Sequence, residues 1–414
     1  MTGFQELARA AAMAQAARPA VPLALATLVQ VDGSSYRQPG ARVLVDAEGR
    51  VLAGAISGGC LEGDVAARAA AVCASGRGVR LTYDLQADLE TIWGFGAACE
   101  GVAHLLLEPL PDPSWLGEVE TIRAQRRNGA VLTVLEGDSG RSGAVLEGAA
   151  SGGTWRPIGH GTPWSAGPEM LAAAGAAAST AQRTGQAVLH DGPGAATQLF
   201  VEPLVAPIAL HVIGAGRGAE AFAHFAQTLG WGVTVIDHRP AVLAGLPLPA
   251  GVATQVVRAD DAAALAAVVA ALPHDGRTAV ALLSHQFAVD SAWLAALLPL
   301  PLAYVGVLGS RKRAAQLLAA VEAQLAAQGT ALTDRMRHRL HAPIGLDLGG
   351  ETPASIALSA VAEIEAVIHG RPAGFLRERQ SPIHTRTPSP ALVDPAVVEP
   401  VLVDPVRDAT DAAH

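Results

Sequence analysis

Residues 54–65 read GAISGGCLEGDV. Gly58 and Gly59, the thiol of Cys60 and the carboxylate of Glu62 fall in one short bend between an apolar run and a helical one. Backbone N–H groups of a glycine turn at a helix start can hold an anion. A thiol in that field has a physical reason for a lowered pKa and thiolate chemistry. Upstream, DGSSYRQPGAR (32–42) sets Ser34, Ser35, Arg37 and Arg42 around a Pro39–Gly40 turn. Hydroxyls, amides and guanidinium groups together suit a phosphate or a pterin-like ligand. The structural alternative is two hairpin turns with a buried cysteine, and the residues alone do not choose between the two. Cys99 lies in a second glycine-rich bend, WGFGAACEG (93–101). Cys73 sits among alanines in VAARAAAVCASG, where a small buried hydrophobe is expected.

A second set of candidates lies further on. GAGRGA (214–219) fits G-x-G-x-x-G/A: Gly214 for the tight turn, Gly216 for close approach of a phosphate, Ala219 for helix–strand packing. The strand-like ALHVI precedes it, and Asp237 ends the next strand, VTVID, where a carboxylate would accept from ribose hydroxyls and disfavour a 2′-phosphate. The same glycines can also serve only to pack a helix on a sheet. Ligands of open α/β sheets bind beyond the carboxyl ends of the strands. That rim would gather Ser284, His285 and Asp290 after LLSH, and Ser310 with Arg311 after VGVLGS. Ser310 is expected to cap a helix, and Arg311 to contact an anion there.

These residues need elements to hold them. LALATLVQVDG predicts a strand, ARVLVDAEGRVLAGAI a hairpin, and VAARAAAVCASG a helix ending at Gly76. LLLEPLPDP (105–113) is echoed by LFVEPLVAP (199–207), both strand ends broken by proline. From residue 208, strands alternate with helical stretches, which predicts a parallel sheet covered on both faces. The fold class is therefore α/β: an N-terminal mixed α/β domain over 1–205, a Rossmann-type doubly wound sheet over 208–370, and a proline-rich acidic tail over 371–414 expected to be unfolded. Thr352 and Pro353 start a final helix with Ile356, Ala360, Ile364 and Val367 on its packing face, and Glu363 and Glu365 pointing elsewhere.

Composition narrows the function. The net charge of −9 and a pI near 5.8 argue against a nucleic-acid surface. No apolar run is long enough to span a membrane. Three scattered cysteines fit neither a disulfide framework nor a C-x-x-C zinc site, so reduced thiols in the cytoplasm are expected. A homo-oligomer such as a dimer is the expected assembly. No G-x-S-x-G elbow and no H-E-x-x-H motif occur.

The phrases GSSYRQPGARVLV, GAISGGCLEGDV, WGFGAACEG and LLLEPL resemble the N-terminal signature of the XdhC/CoxI family, the xanthine dehydrogenase accessory proteins. HVIGAGRGAE, VIDHRP, LLSHQFAVD, YVGVLGSRKR and HAPIGLDLGGETPASIALSAVAEI resemble that family's C-terminal Rossmann domain. The resemblance implies a chaperone that binds the molybdopterin cofactor (the molybdenum cofactor, as cargo), protects it while it receives its terminal sulfur, and helps insert it into xanthine dehydrogenase or a related molybdenum hydroxylase. It implies a cysteine desulfurase as sulfur donor. Gly58, Gly59, Cys60 and Glu62 match the family's SGGC-[LIV]-E motif, and Ser34, Ser35, Arg37, Pro39 and Gly40 its GSS-x-R-x-PG turn. On this reading Cys60 is a transient molybdenum ligand or sulfur contact, and Glu62 positions it or takes a proton. Tyr36, Ala98 and Glu100 depart from the family's usual proline and glycines. The alternatives are an NAD-dependent oxidoreductase, with His285 as proton donor and Arg311 as substrate anchor, and a nucleotide-responsive regulatory module.

Overall fold

The computed structural model describes residues 3–17, 19–33, 37–59, 61–84, 101–148, 154–158, 167–194 and 196–380. Ser34, Ser35, Cys60, Cys99 and the tail beyond 380 lie outside the described residues. The chain divides into two compact units, with the boundary between Ala206 and Pro207.

The first unit holds two antiparallel sheets. In one, the strands β1 (Leu23–Gly33), β2 (Arg42–Asp46), β3 (Val51–Gly54), β4 (Val79–Asp84) and β5 (Gly101–Pro109) lie in the order β3-β2-β1-β5-β4. In the other, β6 (Gly129–Glu136), β7 (Ser139–Gly148), β8 (Trp155–Ile158), β9 (Val188–Asp191) and β10 (Thr197–Leu204) lie in the order β8-β7-β6-β10-β9. These are the same order. The helices repeat too, among the described residues. α1 (Gly3–Ala16) precedes β1 and α2 (Glu62–Ser75) joins β3 to β4; α3 (Ser114–Ala124) precedes β6 and α4 (Pro168–Thr184) joins β8 to β9. The unit is thus one α-β-β-β-α-β-β pattern written twice, and the echoed LLLEPL and LFVEPL are its last strands, β5 and β10.

The repeat is visible in the packing. Val29 and Leu135, and Leu106 and Phe200, occupy matching positions of the two sheets and meet in one buried cluster. Outside the sheets, α2 buries Val65, Ala69 and Val72 on one, and α4 buries Ala174, Ala177, Ala178 and Ala181 on the other. α1 and α3 share a further core with both sheets, around Leu7, Trp115, Leu116 and Ile122. Alanine on the buried face of α4 brings helix and sheet close together, since a small side chain sets a short interaxial distance.

The second unit has a six-stranded parallel sheet built from β11 (Ala209–Ile213), β12 (Gly232–Asp237), β13 (Ala253–Val256), β14 (Thr278–Leu282), β15 (Tyr304–Val307) and β16 (Leu340–His341). Its order is β13-β12-β11-β14-β15-β16. Counted within the unit this is 3-2-1-4-5-6, the doubly wound order whose direction switches between the first and fourth strands. α5 (Arg217–Thr228), with Phe222 and Ala226, and the C-terminal helix (Pro353–Ile368), with Ala357, Ala360 and Ile364, cover one face. The other face is covered by helices contributing Leu265 and Val268, Trp293 and Leu297, and Leu317 and Val321. The central strands β14 and β15 are buried along their whole length because both of their faces are covered, while the edge strand β13 is exposed.

One expectation is corrected here. Glu363 does not point away from the core. It accepts hydrogen bonds from the Tyr304 hydroxyl and from Gly345 N (2.8 Å), and pairs with His341 Nδ1 at 3.2 Å. The His341 ring stacks on Tyr304, centroids 4.3 Å apart. Helical spacing marks which side chains share a face, but a half-buried carboxylate with three partners can sit beside the apolar stripe.

Candidate functional site

The bend at 54–62 is held by its own acid. Glu62 is the first residue of α2. Its Oε1 accepts from Ile56 N (3.0 Å) and Ser57 N (2.8 Å), and its Oε2 accepts from the Ser57 hydroxyl. Ser57 Oγ in turn accepts from Gly59 N and Leu61 N, both at 3.1 Å. Burial alone would raise the Glu62 pKa; the bonds from Ser57 and Ile56 outweigh it and hold the carboxyl below its usual range. The expected anion cradle therefore exists, but the anion it binds is the chain's own carboxylate. In this structure the Glu62 carboxylate orders the bend. Gly58 and Gly59 are exposed at its tip, and Gly59 has φ +115°, a conformation that favours glycine. Arg37 is also exposed. Cys73, expected to be sealed in the core, is half-buried, and desolvation pushes its thiol pKa up.

The rim of the parallel sheet is a second cluster. Gly214 N donates to Ile236 O at 2.8 Å, and a Cβ at Gly214 would lie 2.7 Å from Ser284 N, so the turn after β11 presses on the end of β14. With φ +112°, Gly214 meets both requirements for glycine. Gly216 caps α5 in extended backbone. Asp237 is buried, and its Oδ2 accepts from Ala215 N at 2.6 Å. Arg239 brings its N (2.8 Å) and Nε (2.9 Å) to Oδ1 and a further N–H (2.9 Å) to Oδ2. Burial raises the Asp237 pKa, but the Arg239 and Ala215 bonds prevail and bring it to about 2. The carboxylate that was expected to meet a ribose thus clamps the glycine turn. The acceptor set for a dinucleotide ribose does not fit here, because Arg239 covers the acid. Sequence reading passed over Arg239; its signal was the DHRP that follows the strand.

At the next strand ends, Ser284 Oγ donates to Asp290 Oδ1, and Arg313 donates to Asp290 Oδ2 at 2.7 Å. Asp290 is fully buried. Ser310 caps the helix Arg311–Ala327 by accepting from Arg313 N at 3.3 Å. His285 is exposed with φ +58°, and Arg311 is exposed. The basic residue that joins the rim network is Arg313, not Arg311. Among the described residues no group of three or more His, Cys, Asp or Glu side chains is placed to hold a metal ion, and no helix is long and apolar enough to cross a membrane.

Comparison with known proteins finds a family match within each unit. Residues 16–84 match the XdhC and CoxI family, and residues 210–364 match the XdhC Rossmann domain. The chain is 29% identical over 341 residues to a Bacillus subtilis protein named as a probable xanthine dehydrogenase subunit, covering 82% of this chain and 91% of that one. It is 30% identical over 201 residues to the uncharacterized protein YqeB of Escherichia coli, covering 48% of this chain but 35% of that longer protein. A crystal structure from Bacillus halodurans, described as a xanthine dehydrogenase, superposes with a TM-score of 0.64 at 24% identity, over 90% of this chain and 97% of that one. That likeness concerns the fold. With both halves matched in order, the chain belongs to the XdhC/CoxI family.

Proposed function

We propose that this protein handles the molybdenum cofactor as cargo, for a xanthine dehydrogenase-like molybdenum hydroxylase. Family membership and the relative's name support the client class. The single observation that carries the reading is the self-stapled bend: Glu62 and Ser57 take up the amides of Ile56, Ser57, Gly59 and Leu61 and leave the Gly58–Gly59 tip exposed next to Cys60. A bend whose amides are already engaged costs little to order when the cargo arrives. Dithiolene-held molybdenum accepts soft sulfur ligands, and a single thiolate contact is weak enough to release. In the finer proposal the cofactor is shielded during sulfuration, with a cysteine desulfurase as donor, before insertion.

The test adds the purified protein and free cofactor to an apo-molybdenum hydroxylase. Faster activation than with cofactor alone is expected; equal activation rejects the proposal. Cys60→Ala should lose copurifying molybdenum, measured by mass spectrometry, with an unchanged circular dichroism spectrum. The oxidoreductase alternative gains no support at Asp237, whose oxygens are engaged by Ala215 and Arg239.

A further inference from the structure

In a doubly wound sheet of this strand order, a dinucleotide lies across the carboxyl ends of the strands. Its pyrophosphate sits on the glycine turn after the first strand, and its adenine-side ribose at the end of the second. In this chain those places are the turn after β11 and the end of β12. The turn is open: a Cβ at Gly216 would meet nothing within 4 Å, and no capping side chain meets the first amides of α5. The end of β12 departs from the arrangement that holds a free ribose diol, which needs a carboxylate to accept from its hydroxyls. Asp237 stands at that place, but its Oδ1 accepts from Arg239 N and Nε, and its Oδ2 from Ala215 N and Arg239 Nη2.

What this position offers a ligand is therefore a donor. Asp237 is 4% exposed, whereas the Arg239 side chain is 46% exposed. Arg239 Nε and Nη2 are engaged by Asp237, and Nη2 also reaches Ala215 O at 3.3 Å. Its Nη1 has no hydrogen-bond partner among the described residues. A guanidinium pinned along one edge presents the other in a fixed orientation before any ligand arrives. Further cationic side chains stand beside it. His238 Nδ1 lies 3.3 Å from Asp237 Oδ1. Val257 N donates to Asp237 O at 3.0 Å, so the chain leaving β13 starts next to the chain leaving β12, and the exposed Arg258 follows. Asp237 balances Arg239, and Asp260 pairs with Arg258 at 2.6 Å, so the direction of the donors counts here more than net charge.

We propose that the rim of the parallel sheet binds a dinucleotide bearing a phosphate on the 2′-position of its adenine-side ribose, and that Arg239 selects it over the free diol. Phosphate oxygens accept from the free N–H edge of Arg239 in charge-assisted bonds. A diol brings hydroxyl donors to a group that only donates, and finds the acid behind it already engaged. The expectation that Asp237 disfavours a 2′-phosphate is thereby reversed, and the cause is the arginine two residues on. The inference concerns binding alone. It goes beyond the molybdenum cofactor reading and holds whether or not that reading does.

The test is titration of the full chain with NADPH and with NADH, followed by nicotinamide fluorescence and by calorimetry. NADPH should bind about tenfold more tightly than NADH, the ratio that one charged hydrogen-bonding contact supplies. Adenosine 2′,5′-bisphosphate should displace NADPH, and inorganic phosphate at the same concentration should not. Arg239→Ala uncovers Asp237 and should cancel or invert the preference. Arg239→Lys, which keeps a cation on Asp237 without a second N–H edge, should lower the preference and serves where the alanine variant fails to fold. The proposal is overturned if neither dinucleotide binds at millimolar concentration, if NADH binds as tightly as NADPH, if inorganic phosphate competes as well as the bisphosphate, or if the preference is unchanged in a folded Arg239 variant. None of these outcomes bears on activation of a molybdenum hydroxylase, so the two proposals fail separately.

Discussion

Glu202 and Glu108 occupy the same place in two copies of one motif, in the same EPL phrase, and have opposite fates. Glu202 is buried against Arg42, with side chains 9% and 2% exposed, and ties the two sheets together. Glu108 is equally buried, with one backbone donor and one unpartnered oxygen among the described residues. The strand that carries the acid is shared between the copies; the strand opposite decides what the acid does. An arginine makes it a structural tie, and where a serine stands instead one carboxylate oxygen is left without a partner among the described residues. Gly78 lets the chain pass close beside Gly140 and Glu108, because a Cβ there would lie 2.6 Å from Gly140 O and 3.3 Å from Glu108 Cβ.

The largest effect expected from this comparison comes from breaking the closed half. Arg42→Ala leaves Glu202 buried without its cation, which should cost about 3–5 kcal/mol of stability by chemical denaturation. A loss under about 1 kcal/mol would show that the pair is not a tie.

Next is the open half. The Glu108 pKa is about 7 in the folded chain, above its ordinary 4.5. A raised acid favours folding when protonated, so its contribution is complete below about pH 4.5 and is lost as pH rises through 7. Relative to Glu108→Gln, the wild type should therefore lose about 3 kcal/mol at most between those limits, at about 1.36 kcal/mol per unit. Parallel stability curves for the two proteins would remove the contrast.

A smaller effect is expected where an arginine meets an acid at a half-open rim. Asp237→Asn should cost about 1–2 kcal/mol near neutral pH through the weakened Arg239 and Ala215 bonds. Because the Asp237 pKa is depressed, to about 2, its contribution is present above pH 3.8 and is lost as pH falls toward 2. The smallest effect is a control: Arg141 is exposed, so Arg141→Ala should change stability by less than about 0.5 kcal/mol. A larger loss would mean that Arg141 already serves Glu108 as Arg42 serves Glu202.

Local pattern carried much of this fold in the sequence. The hairpin at 41–56, the helix ending at Gly76 and the strand–turn–helix at GAGRGA are all readable from turn residues and hydrophobic period, and they form as β2–β3, α2 and β11–α5. The echo of LLLEPL in LFVEPL was also visible, but its meaning was not. That two sheets share one strand order depends on pairing between residues far apart in the chain, and periodicity does not encode pairing. The sites divide in the same way. Glycine positions are local and readable, so Gly214 and Gly59 sit where turns require them. Side-chain partners are not local. The Arg239 bond to Asp237 and the Ser57 bonds to Glu62 join groups that hydrophobic period does not relate. Glu108 carried no chemical signal beyond its place in the repeat, because what singles it out is the arginine its partner strand lacks.

The most direct measurement is a carbon-detected NMR titration of glutamate side-chain carboxyls, with Glu108→Gln identifying the Glu108 signal. A midpoint near 7 for Glu108 is predicted. A midpoint at the ordinary 4.5 would show that its free oxygen is already solvated or paired, and the distinction between the two halves would fall.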